Sequence, residues 1–566
     1  MRRMSLLIIF IIVPMLSLFA QDENGIEHIA KLMAVEPEDL DEDEVERLSV
    51  ILKRPILLNI ADKDELGSYG IFSKYQIASL LDYRERSGPC LSFMELTLLD
   101  GFGVDFVDRI RPFVSLETLP DIGHRISHEI TMRTSARYSP GSLRYGYTSR
   151  YKLKVGEHIT TSIACSRSLD AEQVRPDAIC AGMQVRMRRY PLSLTIGDFN
   201  ARFGQGLAMW SGSDFATLTT PSAFMKRSFG VTPSTSFTGN NVMTGMSAEY
   251  SQGNWECSLI AAVPGVKSIK ESPDKLKILP ACNLTYGWRN GQAGLTHYAE
   301  FAGLACKAYI PAMKTACDMA MCVGGVDYFG ELMFDWIESR PSVIVGTIAP
   351  VGDGGSVAAM LRALNKEYTA AASGSVKKQR MNASASVDVT LYKVPKKYNQ
   401  ERSSQLKFHS QWQYSFSDPW SIKVRLTERI RTWGKKFRTD FRTDLLWQSG
   451  CFSMTCRINI LHSNSIAALT YVEGGCKNQK ISVYLRQGLF CVDNWDDRIY
   501  AYERDVPGAY NSPAFYGRGV WTSLMTSWKP STWCRLYLRA GLTLYPFMIE
   551  KKPGKAELRI QSVFDF

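Results

Sequence analysis

The sequence predicts a mainly β protein, a large antiparallel transmembrane β-barrel of roughly 20–24 strands preceded by a small all-α domain. Three observations predict it. Roughly the last four-fifths of the chain alternates apolar and polar residues in segments of about ten. That region ends in Phe566, with Phe564 two residues earlier. The chain opens with the pattern of an export signal.

Arg2 and Arg3 precede the apolar stretch Ser5 to Phe19, and Ala20 offers a small residue before Gln21. This is the order of a secretory signal peptide, residues 1–20, with an uncleaved anchor as the alternative. It predicts a mature chain outside the cytoplasm. Beyond it no run of 18 apolar residues could cross a bilayer as a helix.

Charge divides the remainder. The chain has 67 Lys and Arg against 56 Asp and Glu, a net charge of +11. Residues 22–117 hold ten Lys and Arg against 21 Asp and Glu, a net of −11, which leaves about +20 for residues 118–566. Eight of those 21 acids lie between Glu36 and Glu46. A solvated helix start explains such carboxylates. The Asp-x-Asp-x-Asp-Gly pattern of a calcium loop is absent.

Residues 21–117 read as a periplasmic helical domain. Val45, Leu48, Ile51 and Leu52 recur at helical spacing. Asp62 and Glu65 are spaced like a capping box. Ile77, Leu80, Leu81 and Arg84 mark another helix, stopped by Gly88-Pro89. Gly101-Phe102-Gly103 then leads into Val104, Val107 and Ile110. In order and spacing these pieces, with Leu58-Asn59-Ile60-Ala61 and Glu95-Leu96, resemble the tandem helix-hairpin-helix domain of ComEA-like competence proteins, over residues 57–114. The resemblance implies sequence-independent DNA binding, the hairpin glycines letting backbone N–H groups approach a phosphate. Gly70, Gly101, Phe102, Gly103, Arg84 and Arg109 are the residues it assigns to the hairpins and phosphate contacts. The chain departs from the pattern at Gly70-Ile71-Phe72, which lacks a second glycine, and at Asp105 and Asp108, which would repel phosphate. Docking to a periplasmic protein is the alternative role.

A linker, 118–124, leads to the barrel, 125–566, whose 442 residues at roughly ten per strand plus connections give the strand number. Ala556, Leu558, Ile560, Phe564 and Phe566 share one face of the last strand, and Glu557, Arg559, Gln561 and Asp565 the other. Phe564 and Phe566 resemble the C-terminal signal read by the outer-membrane barrel assembly machinery. Trp420, Trp447, Trp533 and Tyr545 fall near strand ends, where aromatic girdles meet outer-membrane lipids.

Parity collects cations on the inward face: Arg150, Lys152, Lys154, Arg186, Arg188, Lys423, Arg425, Arg429, Arg431, Arg438, Arg442, Arg535 and Arg539. They form either an anion-attracting lumen or inward ion-pair ladders and rim contacts to lipopolysaccharide phosphates. Residues 197–241, rich in Gly, Ser, Thr and Pro, break the strand rhythm and are read as a lumen loop, or else a long surface loop. Asp198, Arg202, Gln205, Lys226 and Arg227 are its polar candidates. With its Gly-Asp-Phe and Gly-Gln-Gly runs, the overall plan resembles a group of uncharacterised Bacteroidota outer-membrane proteins.

No Gly-x-Ser-x-Gly, Walker A or Cys-x-x-Cys pattern is present. His124 and His128 on a strand would lie roughly 13 Å apart, too far for one metal ion. No cofactor and no catalytic residue is assigned. The expected function is a barrel with a periplasmic adaptor that binds or takes up DNA or another polyanion. The alternatives are a structural or assembly protein docking a periplasmic partner and, behind it, an outer-membrane hydrolase.

Overall fold

The computed structural model describes residues 25–118 and 126–566, except 34, 36, 41, 54, 157, 172–173, 188, 212–217, 235–241, 265–276, 303–308, 353, 366, 393–402, 433–436, 464 and 549–551. The predicted signal, all but residue 118 of the predicted linker, and Arg188 lie outside the described residues.

Twenty-four antiparallel strands close into one barrel, from Ile126–Ser139 to Lys555–Asp565. The last strand pairs with the first, from Ala556 opposite Tyr138 to Asp565 opposite Glu129. Beyond that pairing, the Phe566 N–H donates to the His128 carbonyl at 2.9 Å and the His128 N–H donates back at 3.0 Å. Closure leaves the sheet without an open edge, which a sheet in hydrocarbon requires. The mainly β barrel and its strand number are as the alternation predicts.

Leu259, Leu332, Val345, Leu361, Ile458 and Leu485 point outward and are 52–66% exposed, forming the belt that meets lipid. Their strand neighbours Ser258, Glu331, Ser342, Asn459 and Arg486 point inward and are buried. Connections are tight at one end of the barrel, as at 253–254, 289–290, 324–325 and 450–451, and longer at the other. Aromatic contacts gather at the tight-turn end, among them Trp255 with Tyr286 (4.7 Å between centroids), Trp420 with Trp447 (6.3 Å) and Trp533 with Phe566 (6.1 Å).

The N-terminal domain has helices at Gly25–Met33, Glu42–Lys53, Lys63–Ser68, Lys74–Ser87, Phe93–Leu96 and Val104–Ile110. Local chemistry sets their starts. Asp62 accepts from the Glu65 N–H at 2.7 Å. Ser73 and Gln76 form a reciprocal capping box, and Ser92 caps Glu95 at 3.2 Å. Gly88, with φ of 85°, ends the longest helix. Leu48, Leu58, Leu66, Phe102, Ile110 and Phe113 are fully buried in the domain's own core. Each contributes about 1.5–3 kcal/mol for a fully buried large apolar side chain.

The sequence reading sets this domain apart in the periplasm. In the structure it sits inside the ring of strands, as a plug at the tight-turn end. Lys63 donates to the carbonyl of Gly253 in one tight turn (3.2 Å). Asp82 meets Arg289 in a second (3.6 Å), and Asp108 meets Lys377 beside a third (2.6 Å). A ring this wide leaves a lumen to be filled, and an acidic domain matches a basic wall.

Gly101 and Gly103 differ in what they require. Gly101 has φ of 79°, and a Cβ there would lie 2.4 Å from the Tyr75 ring. Gly103 has φ of −53°, and nothing lies within 4 Å of its would-be Cβ. Of these two hairpin glycines, Gly101 alone adopts a conformation and a packing that require glycine. Gly101→Val is expected to destabilise the plug by at least about 1–3 kcal/mol from backbone strain, read as lost hydrogen-exchange protection over residues 95–113. Gly103→Ala is expected to change protection by less than about 0.5 kcal/mol.

Candidate functional site

The candidate site is the lumen where plug, wall and long connections meet. Three adjacent wall strands, Trp420–Arg431, Phe437–Ser449 and Phe452–His462, carry seven of its cations. Their register sets Arg425 opposite Arg442, and Lys423 opposite Asp444, which in turn faces Arg457. Like charges directly opposite one another destabilise a sheet unless something neutralises them. Asp444 accepts from Arg442 at 2.9 Å and from Arg457 at 2.5 Å, and Asp440 lies 3.8 Å from Arg425.

The plug supplies a further carboxylate. Glu38, on the short turn Pro37–Asp39, accepts from Arg442 at 3.1 Å and Arg457 at 2.8 Å. The Tyr502 N–H, from the connection after Val492, also points at it, at 3.4 Å. Burial opposes the charge on Glu38, but Arg442 and then Arg425 outweigh burial and hold its pKa down to about 2. Glu44 is the second anchor, between Arg47 of the plug (2.7 Å) and Arg202 of the wall. Burial again opposes its charge, and Arg202 followed by Arg47 holds it at about 2. At the tight-turn rim the polarity reverses. Lys63 and Lys74 of the plug share Glu256 of the wall at 3.0 and 2.6 Å, and Tyr75 donates to Asp327 at 3.1 Å.

Two long connections fold inward from the other end. In the first, Gly204 (φ 59°) and Gly206 (φ 84°) shape a nest of backbone N–H groups. Gln205, Leu207 and Ala208 donate from it to Glu331 of the wall at 2.7, 3.0 and 3.3 Å. The Gln205 side chain accepts from the Lys226 N–H at 2.9 Å and donates to its carbonyl at 3.2 Å. Arg227 lies over the plug's Phe106 ring, 4.5 Å from its centroid. The predicted loop is thus drawn too early. Residues 197–202, including Asp198 and Arg202, belong to the strand Leu192–Arg202, and the connection begins after it. The strand's inner end pairs with the short strand Gly230–Pro233.

The second connection, between Val492 and Gly517, is absent from the sequence reading. Its Glu503 pairs with Arg539 at 2.6 Å, and its Asp505 pairs with Arg559. Its Arg504 joins Arg486 on Glu473, at 2.8 and 2.7 Å. The acids and the Pro, Gly and Tyr content of residues 493–516 are the signal that could have marked it.

The predicted inward cations therefore have different fates. Arg150 pairs with Glu129 at 3.3 Å, and Arg535 pairs with Asp565. Arg425, Arg442 and Arg539 pair as above, and Arg431 donates to Gln405 at 2.7 Å. Lys152 lies on the same face as Arg150, and Lys154 is exposed beside a tight turn. Arg186 lines a cavity between plug and wall with Lys63, Lys74, Glu249 and Glu256. Arg438 donates to the carbonyls of Asp496 and Arg498, each at 3.4 Å.

The hairpin candidates face inward within the plug. Gly70 (φ 63°) packs against Phe229 and Arg47, and Tyr75 closes over Gly101. Phe102 packs against Phe72 and Phe106 in tilted contacts, 6.0 and 5.7 Å between centroids. Arg84 donates to the Ala61 carbonyl at 2.6 Å, and Arg109 donates to that of Leu32 at 3.3 Å.

No protein-family model and no curated protein matches the chain. Among solved structures it is similar to the siderophore receptor PirA from Pseudomonas aeruginosa, at 8% identity and a TM-score of 0.42, covering 79% of this chain and 81% of that one. It is also similar to OccK3 (OpdO) from Pseudomonas aeruginosa, at 8% identity and a TM-score of 0.31, covering 78% and 95%. The P pilus usher PapC translocation pore matches at 8% identity and a TM-score of 0.35, covering 78% and 99%. Such scores are too low to transfer an activity. The closed barrel and its apolar belt make the chain an outer-membrane β-barrel.

Glu38 and Glu44 are both depressed from 4.5 to about 2. Their stabilisation of the seated plug is complete above the unfolded value and is lost as pH falls through about 2. Hydrogen-exchange protection over residues 37–53, taken relative to the intrinsic rate at each pH, is expected to fall between about pH 5 and pH 2. Unchanged protection across that window would show that these ion pairs do not hold the plug.

Proposed function

We propose that the chain is an uptake barrel for anionic solutes, with the N-terminal domain as its gate. The carrying observation is Glu38, a plug carboxylate seated between two wall arginines at 3.1 and 2.8 Å. An anion entering the lumen competes for the same guanidinium groups, so its arrival weakens the hold on the plug. Short turns of outer-membrane barrels face the periplasm, which sets the plug at the periplasmic mouth and the long connections outside. Phe564 and Phe566 then lie at the periplasmic edge, as a barrel assembly signal would.

A polyanion such as DNA is one such solute. Capture by a ComEA-like hairpin draws less support from the seated plug, where Gly101 is closed by Tyr75 and the side chains of Arg84 and Arg109 serve the plug's own carbonyls. That reading requires the domain to leave the barrel.

A second reading, docking of a periplasmic protein, is favoured by one observation. Leu91, Met94, Leu98 and Val104 stand on the plug with 58–81% exposure, a run of exposed large apolar residues of the kind that contact surfaces use. Leu98→Asp is expected to leave melting unchanged and to abolish crosslinking to a periplasmic partner in whole cells. Crosslinks identical to those of the wild type would remove this reading.

The gate reading is tested in planar bilayers. The wild-type barrel is expected to be closed most of the time. Glu38→Gln with Glu44→Gln is expected to raise the open probability severalfold and give anion-preferring currents that weaken with salt. A double variant as silent as the wild type, or a cation-preferring one, would refute it.

A further inference from the structure

The wall strands that hold Glu38 carry a second like-charge contact nearer the long connections. Arg429 lies opposite Arg438 on one side and opposite Lys407 on the other. Three cations thus occupy one row of neighbouring strands, with Cβ atoms roughly 5 Å apart. Asp388, opposite Lys407, is the acid in that row. Arg431, two residues along, adds another cation, hydrogen-bonded to Gln405 at 2.7 Å.

The lower contact, Arg425 opposite Arg442, has Asp440, Asp444 and Glu38 around it. The upper one is served differently. Among the described residues Arg429 makes no ion pair, and Arg438 reaches two main-chain carbonyls at 3.4 Å. Carbonyl groups orient a guanidinium without cancelling its charge. Asp440 and Asp497 both act on Arg438, and each is shared with other groups. Asp497 is fully buried and accepts the hydroxyls of Ser463 (2.6 Å) and Ser465 (2.7 Å), while Asp440 also faces Arg425. Asp496 is exposed on its short turn.

Arg498 extends the row from the long connection. Its guanidinium donates to the Tyr500 hydroxyl at 2.7 Å and the Trp495 carbonyl at 3.2 Å. It lies 4.8 Å from the Trp495 ring centroid, and that ring is about half exposed. Two arginines on rigid strands and a third held by aromatic stacking form a pre-oriented set of forks. Such forks match the paired oxygens of phosphate and carboxylate groups.

We propose that Arg429, Arg438 and Arg498 form an anion-binding site in the outer half of the lumen, for a solute carrying clustered phosphate groups. As a substrate site it rests on the uptake reading, whereas its binding can be measured without transport. The phosphate could belong to a soluble solute or to a lipopolysaccharide headgroup. The inward parity of Arg429 and Arg438 commits the site to the soluble source.

The test uses the full-length protein in detergent with inorganic tripolyphosphate, followed by titration calorimetry at two salt concentrations. Wild type is expected to bind, more weakly at high salt. Arg429→Gln with Arg438→Gln is expected to lose at least about tenfold in affinity, the scale of hydrogen bonds to charged groups. Arg137→Gln, which removes a cation paired with Glu557 elsewhere on the wall, is expected to stay within about twofold. Heat-modified gel mobility confirms that each variant is a folded barrel. Equal affinity in wild type and double variant would overturn the site. So would loss of lipopolysaccharide association in the double variant with tripolyphosphate binding intact. No tripolyphosphate binding by the wild type beside anion-preferring currents sinks the site alone, and wild-type binding that the Arg429 and Arg438 double variant loses, beside silent Glu38 and Glu44 variants, sinks the gate alone.

Discussion

The structure depends on neutralising the cations that line the barrel. A ring of 24 strands encloses too wide a space for wall side chains to fill, and its inner face crowds arginines onto opposing rungs. Asp444 and Asp440 offset part of that charge from within the wall. The remainder is met by carboxylates delivered from elsewhere in the chain, Glu38 and Glu44 from the plug and Glu503 and Asp505 from the long connection. Removing one partner of a buried pair costs about 3–5 kcal/mol, so each delivered carboxylate fixes the position of the segment that carries it.

Under the proposed gate reading, this arrangement ties fold to function through competition. A plug held by apolar burial against the wall would be hard to release. One held by ion pairs can be loosened by any solute that satisfies the same guanidinium groups. The plug keeps its own apolar core, with Leu48, Phe102 and Phe113 fully buried, so it need not unfold to move. Its polar contacts are distributed in depth. Lys63, Lys74, Asp82 and Asp108 fasten it at the tight-turn rim, while Glu38 reaches inward to meet Tyr502 of the opposite connection. In that reading, solute on one side and plug on the other share one charged layer.

Sequence alone determined the elements whose causes are local. Period-two alternation gave the strands and their inward parity, because successive side chains on a strand point to opposite faces. Asp62 and Gly88 marked helix ends through capping chemistry that acts within a few residues. The split between an acidic N-terminal part and a basic remainder was also plain. Tertiary structure decided where those parts meet. Glu38 and Arg457 are 419 positions apart, and nothing in the local pattern of either names the other. The same holds for Gly101, whose neighbour Tyr75 fills the space a hairpin would leave for phosphate, and for Arg429, whose row-mates are set by register. Strand pairing around a closed ring converts sequence distance into contact, and only the closed ring shows which cations are matched and which still face the lumen.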